Sequence, residues 1–276
     1  MEVVHDRPWS RVLRVPTAEE DLYLKQCAPV QAFEPALTAA LAARWPDRVP
    51  QVVAADPERA WLLLRDGGVR LRESGELATF VRALELYGEL QREEAAHVEE
   101  LLALGLPDVR LPVVAAAYEP FFEDDQGLER AEVARLRALA PRFRERCAEL
   151  EAFGLPDSIQ HDDLHDANVF VRDGRVAIFD WGDSSVAHPL WSLVKPLRDA
   201  GDRGLDREPF CAAYLAAWTA VEPEERLRAA LRVAVPVGIF AYALQVRRLR
   251  DFLSVEARPA SEPYLAAQLR RLLATL

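Results

Sequence analysis

QHDDLHDANVFVRDGRVAIFDWGD, residues 160–183, crowds six aspartates, two histidines and an asparagine around two short apolar runs. Carboxylates are costly to bury without partners, so this density points to chemistry rather than packing. Arg172-Asp173-Gly174 joins NVFV to RVAIF, and an Asp-Gly pair between two apolar runs predicts a tight β-hairpin. The stretch then runs loop, strand, turn, strand, acid, with polar residues at both ends of one hairpin.

The spacing His161-x-Asp163-x-x-x-x-Asn168 fits the catalytic loop of kinases. In that loop the aspartate takes the acceptor hydroxyl's proton and the asparagine ligates magnesium. The hairpin returns the chain, so RVAIF delivers Asp180 beside Asn168. Two oxygen ligands suit a hard cation such as magnesium, which keeps waters and takes its other ligands from nucleotide phosphates.

QHDDLHDANVFV followed by VAIFDWGD resembles the signature of the aminoglycoside phosphotransferase family, small-molecule kinases of protein-kinase-like fold, and the similarity spans most of the chain. The resemblance implies a two-lobed α+β fold with ATP or GTP and Mg2+ between the lobes. Lys25 in DLYLKQ becomes the lysine on the nucleotide phosphates, Glu34 its ion-pair partner, and residues 63–66, with Leu64 and Asp66, the segment beside the base of the nucleotide. By the same resemblance Asp163 is the catalytic base, Asn168 and Asp180 hold the metal, and His161 braces the loop.

Four departures qualify the likeness. No glycine precedes residue 67 and only about eight residues precede WSRVLRV, so the loop expected over the phosphates reads as vestigial. Pro35 biases Glu34 towards a helix cap, leaving cap and ion-pair partner both open. Asp162 stands where the family often has a small residue, and Ser192 where many members carry an aspartate.

Composition changes once, near residue 68. Before it, WSRVLRV and DLYLKQ read as one hairpin, the stretch from Glu34 to Pro46 as a helix, and VPQVVAA with AWLLL as a second hairpin. Residues 1–68 are thus expected to form a nucleotide-binding lobe and 69–276 a helical lobe. Helical spacing covers 77–104 and 129–153, the latter interrupted at Pro141, and returns at 189–199, 207–220, 224–253 and 261–274.

Composition narrows the function. The 45 acidic against 34 basic residues give a net charge of −11, which disfavours nucleic acid. No run of eighteen uninterrupted apolar residues suggests a membrane span, MEVVHDRPWS lacks a targeting pattern, and three scattered cysteines fit a reducing, cytoplasmic compartment. The few histidines argue against a dinuclear hydrolase, and the short path from DWGD to HPLWSL leaves no room for a protein kinase's activation segment. The expected function is Mg-dependent phosphoryl transfer to a hydroxyl of a small molecule. Asp162, Asp166 and above all Asp183, beside the base, favour an amine-bearing acceptor: an aminoglycoside, amino sugar or amino alcohol. The alternative is a kinase-like binding module with little turnover.

Overall fold

The computed structural model describes residues 1–253 and 262–276. Strands β1 (Glu2–Arg7), β2 (Ser10–Pro16) and β3 (Asp21–Cys27) are followed by helix α1 (Glu34–Arg44), then β4 (Val52–Asp56) and β5 (Trp61–Arg65). The strands form one antiparallel sheet in the order β1-β2-β3-β5-β4. Strand β1 lies where the sequence reading had left residues without an element. All six of its side chains are exposed, so EVVHDR shows no alternation and its backbone pairing with β2 alone makes it a strand. Phe33 takes the cap position of α1, which places Glu34 inside the first turn with Pro35 behind it, where a missing N–H costs nothing.

The chain leaves the sheet through Asp66–Gly68, where the Asp66 carboxylate accepts from Gly68 N at 2.9 Å. Gly68 has a φ of +86°, and a Cβ there would lie 2.4 Å from the Val171 carbonyl, so only glycine fits. Beyond it come β6 (Val69–Arg70), α2 (Leu71–Ser74), α3 (Leu77–Glu94), α4 (Val98–Ala103), β7 (Asp108–Val109), α5 (Leu111–Phe121), α6 (Arg130–Ala138) and α7 (Ala140–Glu151). The helices α6 and α7 part at Leu139, with Pro141 in the first turn of the second.

After β8 (Ser158–Gln160) the loop of residues 161–168 leads into β9 (Val169–Arg172) and β10 (Arg175–Ile178). Asp173 and Gly174 both have positive φ, 52° and 77°, the geometry of the tight hairpin turn. The last elements are β11 (Ser185–Ala187), α8 (Val194–Asp202), α9 (Glu208–Ala216), α10 (Glu224–Phe252) and α11 (Glu262–Thr275). The helical reading of 261–274 starts at residue 261, outside the described residues.

Helix α10 is the spine of the large lobe. It is long and apolar enough to cross a membrane, yet 72 % of its most apolar window is buried inside the protein. Phe240 on it meets Tyr118, Phe121, Phe122 and Phe143 at ring-centroid distances of 4.9–6.1 Å, an aromatic cluster that is almost wholly buried. The β9–β10 hairpin ties the lobes together: Ile178 N donates to Arg48 O at 2.9 Å and Arg175 donates to the carbonyls of Pro46, Asp47 and Val49.

Candidate active site

Residues 161–168 form a loop held from beneath by a buried polar network. His161 N donates to Tyr87 OH at 3.0 Å, and that hydroxyl lies 3.1 Å from Ser192 Oγ. Ser192 donates to Gln160 Oε1 at 2.5 Å and accepts from Gln91 Nε2 at 2.8 Å, while Gln91 also donates to the Ile159 carbonyl. A neutral hydroxyl-and-amide network thus stands where an aspartate was expected, and it satisfies groups that would be costly to bury unpaired. The imidazole of His161 is fully buried, and burial lowers its pKa, so it is neutral. Its Nε2 meets the Phe179 carbonyl at 2.9 Å and its Nδ1 accepts from Asp163 N at 3.3 Å, which assigns the proton to Nε2.

His161 therefore joins the start of the loop to the residue before Asp180. Phe179 N closes the same gap by donating to the Asn168 carbonyl at 2.8 Å. Asn168 Nδ2 donates to Asp163 Oδ2 at 3.1 Å and to the Asp163 carbonyl at 3.0 Å. With its nitrogen committed, Asn168 offers its carbonyl oxygen to a cation. Asp163 keeps 31 % of its side chain exposed, flanked by His165 Nε2 at 3.2 Å and Lys195 Nζ at 3.5 Å. Lys195, from the first turn of α8, also reaches Asp199 at 3.1 Å.

Across the cleft, Lys25 of β3 extends its ammonium to Glu34 Oε1 at 2.6 Å and to Asp180 Oδ1 at 2.5 Å. Burial opposes the lysine's charge, but the two carboxylates outweigh it and hold Lys25 protonated above its ordinary range. Asp180 experiences the same contest in reverse: burial raises its pKa, Lys25 lowers it further, and the carboxylate stays ionised. Glu34, buried and also accepting from the Cys27 thiol at 3.3 Å, is pushed up by burial against the pull of Lys25. Asp180 is half exposed and sits in left-handed backbone at φ 65°, a strain that accumulates at functional sites. An ionised, half-open carboxylate and a free amide oxygen are the donors a hard cation prefers. Among the described residues no cluster of three or more His, Cys, Asp or Glu could hold a metal without further ligands. A cation here would complete its shell with phosphates and water.

Leu64 of β5 is buried on the face that carries Lys25, beside Tyr23 in the strand register. Phe170 lies under Arg70 at 5.3 Å and against Phe179 at 4.4 Å. Asp66 directly follows β5. Its Oδ1 accepts from Gly68 N at 2.9 Å and its carbonyl from Arg172 at 2.8 Å.

The phosphotransferase enzyme family is matched by residues 2–229, about four-fifths of the chain. The chain belongs to this family. It is thereby a small-molecule kinase, a phosphotransferase with an alcohol group as acceptor. A choline/ethanolamine kinase family protein from Mesorhizobium loti is similar in structure at TM-score 0.65 and 19 % identity, over 99 % of this chain and 91 % of that one. Plasmodium vivax ethanolamine kinase gives 0.64 and 12 %, over 100 % and 83 %. The GDP complex of aminoglycoside 2′-phosphotransferase-IIIa gives 0.65 and 16 %, over 99 % and 92 %. At these identities the likeness is one of fold, the two-lobed protein-kinase-like α+β fold. Among curated proteins none matches the chain.

Against the family pattern, the structure separates the crowded aspartates. Asp162 is taken up by protein partners: it sits at φ 62°, accepts from Ser185 Oγ at 2.6 Å and Gln245 Nε2 at 3.2 Å, and desolvation lifts it to about 7. Asp166 is neutralised by Arg72 at 2.8 Å and Arg203 at 3.0 Å. Asp183 accepts from Gln31 Nε2 at 2.6 Å, and burial next to Asp163 and Asp180 pushes it up to about 7. His188 is structural, accepting from Leu190 N and driven down to about 3 by burial. Residues 122–125, Phe-Glu-Asp-Asp, are flanked by Phe121, with Arg247 4.3 Å over its ring, and by Gln126, which accepts from Arg250. Lys195, Gln31 and Arg248, which donates to Val30 O at 2.7 Å, were not singled out from the sequence. No spacing marks them, because they reach the site from elements distant in the chain. Arg248 and Gln245 also lie beyond the family match, which ends at residue 229.

Proposed function

We propose that the chain transfers the terminal phosphate of ATP or GTP, with Mg2+, to a hydroxyl of a small molecule. The observation that carries this reading is the convergence of Lys25, Glu34 and Asp180 within 2.6 Å, facing a loop on which Asn168 positions Asp163. Residues 1–68 would form the nucleotide-binding lobe and 69–276 the lobe that holds the acceptor. Leu64 and Phe170 would enclose the base of the nucleotide, with Asp66 shaping the rim of that pocket. Lys25, kept charged by its carboxylate partners, would hold the phosphates in line. Magnesium, bound by Asn168 and Asp180, would neutralise charge on the phosphates. Asp163 would accept a hydrogen bond from the acceptor hydroxyl, orient its oxygen and take its proton, while His161 keeps the loop in register. The complete set of residues supports turnover over a binding-only module.

The acceptor we favour bears an amine. Asp183, beside Asp163 and Asp180, is the carboxylate we assign to receive it, and the similar structures include kinases named for choline, ethanolamine and aminoglycosides. The test is a panel of amino alcohols, aminoglycosides, neutral polyols and hydroxy acids incubated with Mg2+ and ATP or GTP, with acceptor mass followed. Phosphate gain on amine-bearing alcohols is expected. Gain confined to neutral or anionic acceptors would overturn the amine preference, and no gain in any class would overturn the transferase reading.

A further inference from the structure

We propose that His5 and Arg7, on the first strand, bind the β- and γ-phosphates of the nucleotide through their side chains, replacing the backbone cover of a glycine-rich loop. The inference rests on the phosphotransferase reading. The β1–β2 turn holds only Pro8 and Trp9, and Pro8 has no N–H to offer. The turn is tethered by Ala28 N donating to the Trp9 carbonyl at 2.8 Å, so the hairpin is held to the end of β3. A tip of that kind offers few backbone donors to an anion.

The register shows what the hairpin offers instead. His5 pairs with Val12 and Val12 with Lys25, while Arg7 pairs with Ser10 and Ser10 with Cys27. Residues directly opposite on neighbouring strands share a face. Lys25 and Cys27 both reach Glu34, so this face is the one turned to the cleft, and His5 and Arg7 overhang it. A bulge between Val3 and His5 re-aims the strand at that point. The imidazole is affected electrostatically by Arg7, Asp180, Lys25 and Arg70, and burial together with the cations lowers its pKa. Arg7, Lys25 and Arg70 thus lie within electrostatic reach of His5 together with Asp180, and all six residues of β1 are exposed. That charge suits a polyphosphate and has no use for a nucleoside, because charge-assisted bonds to phosphate oxygens are its natural partners.

Calorimetric titration of ATP, ADP and AMP with Mg2+, and of the guanine series, separates phosphate contacts from base contacts. His5→Ala and Arg7→Ala are each expected to weaken ATP and ADP by about tenfold while leaving AMP unchanged, with the melting temperature held. His5→Gln, which keeps a donor, is expected to recover part of the ATP affinity. Unchanged ATP and ADP affinity in both alanine variants, or equal loss for AMP, would overturn the proposal. A parent protein that binds no nucleotide at all would instead refute the phosphotransferase reading beneath it.

Discussion

Replacing Lys25 by methionine would remove the cation that bridges Glu34 and Asp180. Glu34 is 1 % exposed and would keep the hydrogen bond from the Cys27 thiol, whereas Asp180, half exposed, can still be reached by water. Breaking a buried pair from one side costs about 3–5 kcal/mol, and the open side of Asp180 places this case near 3. For a chain of this length that is roughly 6–12 °C in melting temperature. The pH dependence has a definite sign. Burial already raises the Glu34 pKa, and without Lys25 the Cys27 hydrogen bond is left to oppose it, so the stability tied to Glu34 is present at low pH and lost as pH rises. The variant's deficit should be largest near pH 8 and shrink towards pH 5. Lys25→Met combined with Glu34→Gln should regain most of the stability while still binding nucleotide poorly. Melting curves followed by circular dichroism at several pH values would measure all of this. A Lys25→Met protein as stable as the parent at pH 8, or a double variant no more stable than the single, would refute the ion-pair account.

Asp162→Asn is isosteric, tolerates the left-handed backbone, and removes a carboxyl whose folded pKa is about 7. Because the folded state then no longer binds an extra proton between the unfolded value of 3.8 and about 7, the fall in stability across that window should flatten in urea melts. Asp180→Asn should weaken nucleotide binding in magnesium far more than in its absence, as read by thermal shift with and without chelator. Tyr87→Phe leaves His161 N and Ser192 short of a partner and should cost about 1–3 kcal/mol in denaturant titration.

What the sequence made legible was local. The H-x-D-x-x-x-x-N loop and the Asp-Gly hairpin are contiguous, and each residue's backbone preference agrees with its position, so Asp163, Asn168 and Asp180 could be placed together from spacing. Strand β1 was illegible because an exposed edge strand needs no alternation. Helix α5 was missed because paired valines and prolines at 112 and 120 mask a helix whose Leu111, Val114, Tyr118 and Phe121 are buried. The crowd of aspartates misled in a different way. Composition placed Asp162 and Asp166 at the mouth, but Ser185, Gln245, Arg72 and Arg203 occupy them, and such partners are fixed by tertiary packing alone. Ser192 was read as a departure, and only the structure shows the amide network that takes over from a carboxylate.

The central claim is that Asp163 faces the acceptor and acts on its proton, not on the nucleotide. Single-turnover transfer to an accepted hydroxyl compound, measured for the parent and for Asp163→Asn alongside nucleotide affinity, tests it most directly. Transfer should fall by about 10²–10⁴-fold with nucleotide affinity within a factor of about two. Undiminished transfer in Asp163→Asn, or a loss explained entirely by weaker nucleotide binding, would contradict the account.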